Sequence, residues 1–109
     1  FPELRPNIIY RMSDVLHCRY LFFELPLTEP KQVFVMGPYL NDEWTADSIL
    51  EWVEAARLPQ TAVKHLQSFY EKIPIIKEEH HILAVVFSFA ENIWNGTAIA
   101  RGIAIISAV

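Results

Sequence analysis

The sequence contains little of what a cross-linked or secreted chain needs. It has one cysteine in 109 residues, so no internal disulfide can form, and a reducing compartment is favoured. It carries no basic segment followed by an apolar one, as a signal peptide would. The apolar stretch 97–109 is interrupted by Arg101 and is too short to span a bilayer. We therefore expect a cytoplasmic protein without membrane contact.

Positive charge is also scarce and scattered. The net charge is −4, and the closest grouping of the nine lysines and arginines is Arg5, Arg11 and Arg19. Nucleic-acid binding needs basic residues concentrated on one face, where they displace counterions from phosphates. We therefore expect DNA contact only through an output domain outside this chain.

Core-forming residues, by contrast, are plentiful. Hydrophobic residues make up 52% of the chain and aromatic residues 13%, which excludes a disordered segment. The length is that of one domain. The chain opens at Phe1-Pro2 without an initiator methionine and ends on the apolar run 102–109. Together these ends predict a single domain, residues 1–109, that is a fragment of a longer chain.

The N-terminal half predicts a helix followed by a hairpin. Apolar residues in 7–16 recur at helical spacing, although 8–10 also reads as a strand. Residues 17–25 predict a strand that is buried on both faces, and 31–36 a second one. The prolines of the intervening loop favour an antiparallel hairpin. Gly37-Pro38 should end the second strand, because proline cannot donate to a central ladder.

The C-terminal half predicts three helices. The first begins at a cap, Thr45 or Asp47, and stops at Pro59; the others span about 59–72 and 77–94. The last is apolar nearly all round, which is typical of a central or interface helix. The tail shows a strand-like alternation at Ile99, Arg101, Ile103 and Ile105. Two strands alone are too few for a stable sheet. If the tail does not supply a third strand, a second subunit or residues outside the chain must supply it. The predicted fold is α+β, a small antiparallel sheet covered by helices.

The histidines do not predict a metal site. Adjacent His80 and His81 point about 100° apart on a helix and cannot pinch one ion as an i, i+4 pair does. Glu78-x-x-His81 is half of a di-iron motif that lacks its second half. We interpret Glu78 and Glu79 as a solvated first helical turn and expect neither metal nor cofactor.

Other reactive features have plain structural interpretations. Cys18 predicts a small core residue rather than a nucleophile, because an activated thiolate needs an electropositive, partly exposed setting. Asn95-Gly96-Thr97 has the form of a glycosylation sequon, yet it also suits a helix stop. The sequence contains neither a glycine-rich phosphate loop nor a nucleophile elbow. We therefore predict that the domain is not an enzyme.

The aromatic residues predict a pocket. Three of them and a methionine would share one face of the hairpin if the register allows, and two further aromatic residues lie just beyond it. The predicted ligand-binding residues are Tyr20, Phe22, Phe34, Met36, Tyr39 and Trp44. Small-molecule pockets are mostly apolar, with a few polar groups such as a phenol or an indole N–H. The alternative is that this aromatic face is ordinary core under helices.

Several segments resemble a known family. They are IYRMSD (9–14), CRYLFFELP (18–26), MGPYL (36–40), LP (58–59), a helix containing Tyr70 and ending at Ile73-Pro74, and AENIW (90–94). This string resembles the N-terminal sensory domain that precedes the DNA-binding part of AraC-type transcriptional regulators of Gram-positive bacteria. The resemblance covers roughly residues 8–96.

The resemblance implies a PAS- or GAF-like domain that senses a signal or mediates dimerisation. It implies a bacterial homodimer, with a small-molecule effector as a possible ligand. The alternative is a pure dimerisation or scaffold module that binds no ligand. The resemblance assigns no ligand-contacting residue, and the sequence departs from the full-length pattern in containing no helix-turn-helix.

Overall fold

A computed structural model of the protein describes residues 4–5, 8–25, 29–94 and 103–107. The elements in chain order are β1 (Ile9–Ser13), β2 (Arg19–Glu24), β3 (Val33–Tyr39), α1 (Ala46–Ala55), α2 (Ala62–Tyr70), α3 (Glu79–Ile93) and β4 (Ile103–Ser107). Strands β1, β2 and β3 form an antiparallel sheet. The prediction of an α+β fold, with an antiparallel sheet and three helices, is confirmed.

The predicted helix over residues 7–16 is wrong, and its strand alternative is right. Ile9–Ser13 forms β1, which pairs with β2 so that Tyr10 lies opposite Phe22. The strand is buried on both faces at its start, where Ile9 and Tyr10 are both buried. Because apolar residues lie on both faces of β1, apolar and polar residues do not alternate along it. The spacing of the apolar residues in 7–16 then matches that of a helix instead.

A short turn joins β1 to β2, and it is stabilised by the side chain of Asp14. The Asp14 carbonyl accepts a hydrogen bond from His17 N, and Asp14 N donates to the Cys18 carbonyl. His17 adopts a left-handed conformation with φ of 63°. This is the three-residue hairpin loop built on a type I turn followed by a left-handed residue. The Asp14 carboxylate accepts from the backbone N–H groups of Leu16 and Cys18, which holds the turn.

The β2–β3 hairpin is confirmed, but its second strand does not stop at Gly37-Pro38. Strand β3 continues to Tyr39, which pairs with Arg19, while Met36 pairs with Leu21. Gly37 and Pro38 therefore lie together opposite the single residue Tyr20, in a β-bulge. Because β3 is an edge strand and the bulge already interrupts the ladder, the missing proline N–H costs no sheet hydrogen bond.

The tail contributes a strand, which is one of the two alternatives that its alternation left open. Strand β4 pairs parallel to β1, with Ile103 beside Ile9, and the sheet order is β3-β2-β1-β4. The sheet is therefore mixed rather than purely antiparallel, and β4 is its fourth strand. Ile99 and Arg101, the loop residues 26–28 and the predicted helix stop at Asn95-Gly96 lie outside the described residues.

Helix α1 has well-formed ends. Thr45, one of the two predicted caps, accepts a hydrogen bond from Ser48 N, and the Ser48 hydroxyl accepts from Thr45 N. At the other end Leu58 N donates to the Val53 carbonyl and Arg57 N to the Glu54 carbonyl. This pattern is a Schellman motif whose left-handed position, normally glycine, is occupied by Arg57 with φ of 56°.

Replacing Arg57 with glycine should therefore stabilise the protein. The left-handed conformation strains a side chain with a Cβ atom but not glycine, and Arg57 is exposed. We expect Arg57→Gly to raise the free energy of unfolding by about 0.5–1 kcal/mol in urea denaturation. Arg57→Ala keeps the strain and should change it by less than about 0.5 kcal/mol. Equal stability of the two variants would contradict the prediction.

The helices pack on one face and at one end of the sheet. Val86 and Ala90 of α3 pack on one face, against Ile9, Leu21 and Phe23. Helices α1 and α2 supply a second cluster, which includes Ile49, Val53 and Tyr70 and packs around Cys18 and Leu40 at one end of the sheet. The Tyr70 hydroxyl donates to the Leu16 carbonyl at 2.6 Å, so α2 is tied to the β1–β2 turn.

Candidate functional site

A partly buried ionic cluster fixes the first residue of α3 to the sheet. Glu79 Oε2 accepts hydrogen bonds from Arg19 Nη1 at 2.7 Å and from the Tyr39 hydroxyl at 2.8 Å, and Glu79 Oε1 pairs with Arg11 Nη1. The Glu79 side chain is only 12% exposed. We call Glu79, Arg11, Arg19 and Tyr39 the Glu79 clamp. It joins β1, β2 and β3 to the start of α3.

The clamp holds Glu79 in its charged form. Burial acts to raise the pKa of Glu79, but hydrogen bonds from Tyr39, Arg19 and Arg11 outweigh it, and the pKa lies below its ordinary value. Burial, followed by the hydrogen bond to Glu79, raises the pKa of Tyr39 above its ordinary value of 10.0. At neutral pH the clamp therefore contains two guanidinium groups, one carboxylate and a neutral phenol.

A groove runs along one face of α3. Its described lining comes entirely from this helix and combines an apolar strip of Leu83, Ala84 and Phe87 with polar groups from His80, Ser88 and Glu91. Its volume of about 440 Å³ lies in the range of small-molecule sites, which are mostly apolar with a few polar groups. We call it the α3 groove.

The opposite flank of α3 is apolar and exposed. A helix turns by about 100° per residue, so Val85 and Phe89 project from the side of α3 that faces away from the α3 groove. Val85 is 63% exposed and Phe89 42%. The Phe89 ring also packs on Phe34, with ring centroids 4.8 Å apart. We call Val85 and Phe89 the outer flank. Helix α3 thus shows a buried seam, a groove and an exposed apolar flank.

The structure does not bring the six predicted ligand-binding residues together. Phe34 lies opposite Phe23, and Met36 opposite Leu21, so both face α3. Because side chains alternate along a strand, Tyr20 and Phe22 point to the other face. The register therefore contradicts the predicted shared face. Whether any of the six contacts a ligand stays a prediction.

Each of the six has a packing role where it lies. Phe22 stacks on Tyr10, with ring centroids 5.5 Å apart, and the Tyr20 hydroxyl donates to the Asp14 carboxylate. Trp44 packs in the α1–α2 cluster, and Tyr39 belongs to the Glu79 clamp. Met36 and Tyr39 border one pocket of about 210 Å³, which Pro74 also lines.

A polar cleft lies at the β1–β2 turn. Its volume is about 270 Å³, and its wall includes Ser13, His17, Arg19, Asn41, Asp42 and Trp52. The His17 ring packs on Trp52, with centroids 4.5 Å apart. The left-handed backbone of His17 directs this ring, and nothing in the local sequence pattern signals it. The cleft is smaller than most small-molecule sites.

Cys18 is a core residue, as predicted. It is inaccessible to solvent, and burial, followed by the charge of Asp14, raises the pKa of its thiol to about 11. The thiol therefore stays protonated at neutral pH, without the thiolate that nucleophilic or metal-binding cysteines require.

The first turn of α3 is not uniformly solvated. Glu78 is exposed, as predicted, whereas Glu79 is drawn into the clamp. His81 Nδ1 lies 3.0 Å from Glu78 Oε2, and the rings of His80 and His81 are 4.1 Å apart between centroids. Sequence reasoning missed the clamp, because Arg11, Arg19, Tyr39 and Glu79 converge from four elements. The only sequence signal was that Arg11 and Arg19 formed part of the closest basic grouping.

Comparison of the chain with protein families, with curated proteins and with solved structures found no match. Among the described residues, no helix has both the length and the apolar character needed to cross a membrane.

Proposed function

We propose that this chain is the sensory and dimerisation domain of an AraC-type transcriptional regulator, and that it binds a small-molecule effector without catalysing a reaction. The α3 groove carries the proposal, because its volume of about 440 Å³ and its apolar strip with polar margins suit a small organic ligand. In this proposal the fold is a PAS- or GAF-like variant. The protein works in the cytoplasm, and DNA binding belongs to an output domain outside residues 1–109.

The architecture of α3 suggests how a signal would pass. The effector contacts Leu83 and Phe87 on the groove side, and these residues also pack into the core beneath the helix. The outer flank contacts the same flank of a second copy. If α3 can take two placements in the dimer, a ligand that binds one placement more tightly shifts the equilibrium toward it. The size of that shift is set by the difference between the two affinities. The Glu79 clamp holds the start of the helix, so such a shift would be largest toward its C-terminal end.

The groove lining indicates the chemistry of the effector. The central strip of Leu83, Ala84 and Phe87 favours an apolar body. Ser88 and Glu91 at the margin favour a hydroxyl or amine that donates hydrogen bonds. A compact hydrophobic molecule with one donor group therefore fits better than a polyanion.

A pure dimerisation or scaffold module is the second candidate. It is favoured by the packing of the predicted aromatic residues, which fill separate hydrophobic clusters instead of facing one cavity. In that case the outer flank still pairs two copies, but the α3 groove binds nothing.

Native mass spectrometry of the purified domain tests both candidates. We expect a wild-type dimer and a monomeric Val85→Glu variant, because a buried unpaired carboxylate costs about 2 kcal/mol or more, at least ~30-fold in affinity. Val15→Glu is the matched control, since Val15 is 71% exposed on the distant β1–β2 turn. If Val85→Glu dimerises as well as Val15→Glu, the outer flank is not the interface.

The same spectra test the groove. We expect the dimer to carry an additional small mass, which Ala84→Phe should remove by filling the groove. Ala55→Phe, on the exposed end of α1, should retain it. A wild-type dimer without added mass, whose melting temperature no effector class raises, would support the scaffold candidate. A strictly monomeric wild-type domain that no effector stabilises would overturn both candidates.

A further inference from the structure

Three exposed donor side chains converge beside the start of α3. The donor atoms of Glu78, His80 and His81 all lie within 4.8 Å of one another. Glu78 Oε2 and His81 Nδ1 are already 3.0 Å apart, and the two imidazole rings approach to 4.1 Å between centroids. Two imidazoles and a carboxylate are a donor set used in zinc sites with an open position.

The backbone explains why these side chains meet although two of them are sequence neighbours. Glu78 precedes the helix, with φ of −98° and ψ of 74°, so helical spacing does not dictate its direction. It reaches over the first turn toward His81. The His80 and His81 rings are exposed and fold toward each other instead of spreading 100° apart. The two adjacent histidines therefore bring their donor atoms together at this helix end.

We propose that Glu78, His80 and His81 bind a divalent transition-metal ion of the zinc class. Zinc–nitrogen bonds of about 2.0–2.1 Å place tetrahedral donors roughly 3.3 Å apart, so the exposed side chains must close by only ~1.5 Å. Within the described part of the chain, the Glu78 and His81 side chains form an ion pair with each other, and the His80 ring packs on the His81 ring. Closure around an ion therefore breaks no side-chain hydrogen bond or ion pair to another described residue.

The surrounding charges determine the affinity of the site for the metal ion. The helix N-terminus and the nearby guanidinium groups of the Glu79 clamp both repel a cation. Glu78 is the only ligand that brings negative charge, because Glu79 is held by Arg11 and Arg19. The affinity should therefore be modest, and water should complete the coordination.

The site stands at one end of the α3 groove, because His80 lines that groove. The proposal does not rest on the proposed effector or dimer, and it can be tested without either. A zinc ion there would add a Lewis-acidic position to a groove whose described lining otherwise offers apolar contacts and hydrogen bonds.

Zinc binding to the purified metal-free domain tests the site, measured by isothermal titration with zinc chloride alone. We expect one ion per chain, bound at least about tenfold more weakly after His80→Ala or His81→Ala, and also weakened by Glu78→Gln. His65→Ala removes an exposed histidine from α2 and is the matched control, which should bind like the wild type. All four residues are exposed, so each variant should keep the wild-type melting temperature without zinc.

Two results would overturn the proposal. One is that no zinc binds up to roughly 1 mM, about −4 kcal/mol of binding free energy. The other is that His65→Ala weakens binding as much as His80→Ala and His81→Ala do, which would mean dispersed binding to surface histidines. Neither result bears on the effector or the dimer, so the failure of this site remains distinguishable from failure of the proposed function.

Discussion

Replacing Glu79 with alanine is expected to lower the free energy of unfolding by about 3 kcal/mol, and the melting temperature by roughly 10–20 °C. The substitution leaves two guanidinium groups largely buried beside each other, with side chains 20% and 24% exposed. It also deprives the Tyr39 hydroxyl of its acceptor, although Tyr39 is only 1% exposed. An unpaired buried charge costs more than the pair contributed, because its desolvation is no longer compensated.

The neighbouring residue provides the matched control for Glu79. Glu78 has the same chemistry one position earlier, but its side chain is 67% exposed and its partner is the exposed His81. Glu78→Ala should therefore cost less than about 0.5 kcal/mol in metal-free buffer. Chemical denaturation of both variants, monitored by tryptophan fluorescence, measures the difference. If the two substitutions cost the same, solvent compensates the clamp arginines and the clamp does not hold α3.

Replacing Gly37 with alanine is expected to cost about 3 kcal/mol. Gly37 has φ of 140°, a conformation that residues with a side chain rarely adopt. A Cβ atom there would lie 2.7 Å from the Arg19 carbonyl oxygen and 3.0 Å from the Tyr20 ring. The carbonyl belongs to the backbone of β2, so relief requires the bulge to open and Tyr39 to move away from Arg19.

A second substitution on β3 separates this effect from a general weakening of the strand. Val35 lies two residues earlier and is 50% exposed, so Val35→Ala should cost less than about 1 kcal/mol. Thermal unfolding of the two variants gives the comparison. Gly37→Ala also displaces Tyr39 from the Glu79 clamp, and its cost should therefore not add fully to that of Glu79→Ala in the double variant. Full additivity would mean that the bulge and the clamp are independent.

The fold was predictable where local signals were strong. Thr45 before an apolar stripe identified α1, Pro59 and Pro74 separated the helices, and the proline loop marked the β2–β3 hairpin. The prediction failed at β1, because a strand buried on both faces has no alternation to detect. It failed again at Gly37-Pro38, because only the position of β3 at the sheet edge makes a proline tolerable there.

The site was less predictable than the fold. The bulge and the register assign two of the six predicted residues, Tyr20 and Phe22, to one face of the sheet and two others, Phe34 and Met36, to the other. A one-residue difference in register moves every side chain of a strand to the opposite face of the sheet. A pocket predicted from the alternation along two strands therefore depends on their pairing register, which the sequence pattern specifies poorly. The apolar character of α3 predicted a central or interface helix. The helix packs Val86 and Ala90 into the core and leaves Val85 and Phe89 exposed, and its role as an interface stays a prediction.

The sequence by itself determined composition, charge, the three helices and the hairpin, because capping residues, prolines and apolar spacing act over a few neighbouring positions. Only the tertiary structure decided where Glu79 lies and which flank of α3 stays exposed. The residues of the Glu79 clamp are separated by up to 68 positions in the chain, yet they form one partly buried cluster. Local patterns carry no information about such contacts, because these follow from strand register and helix placement, which are settled only when the whole core packs.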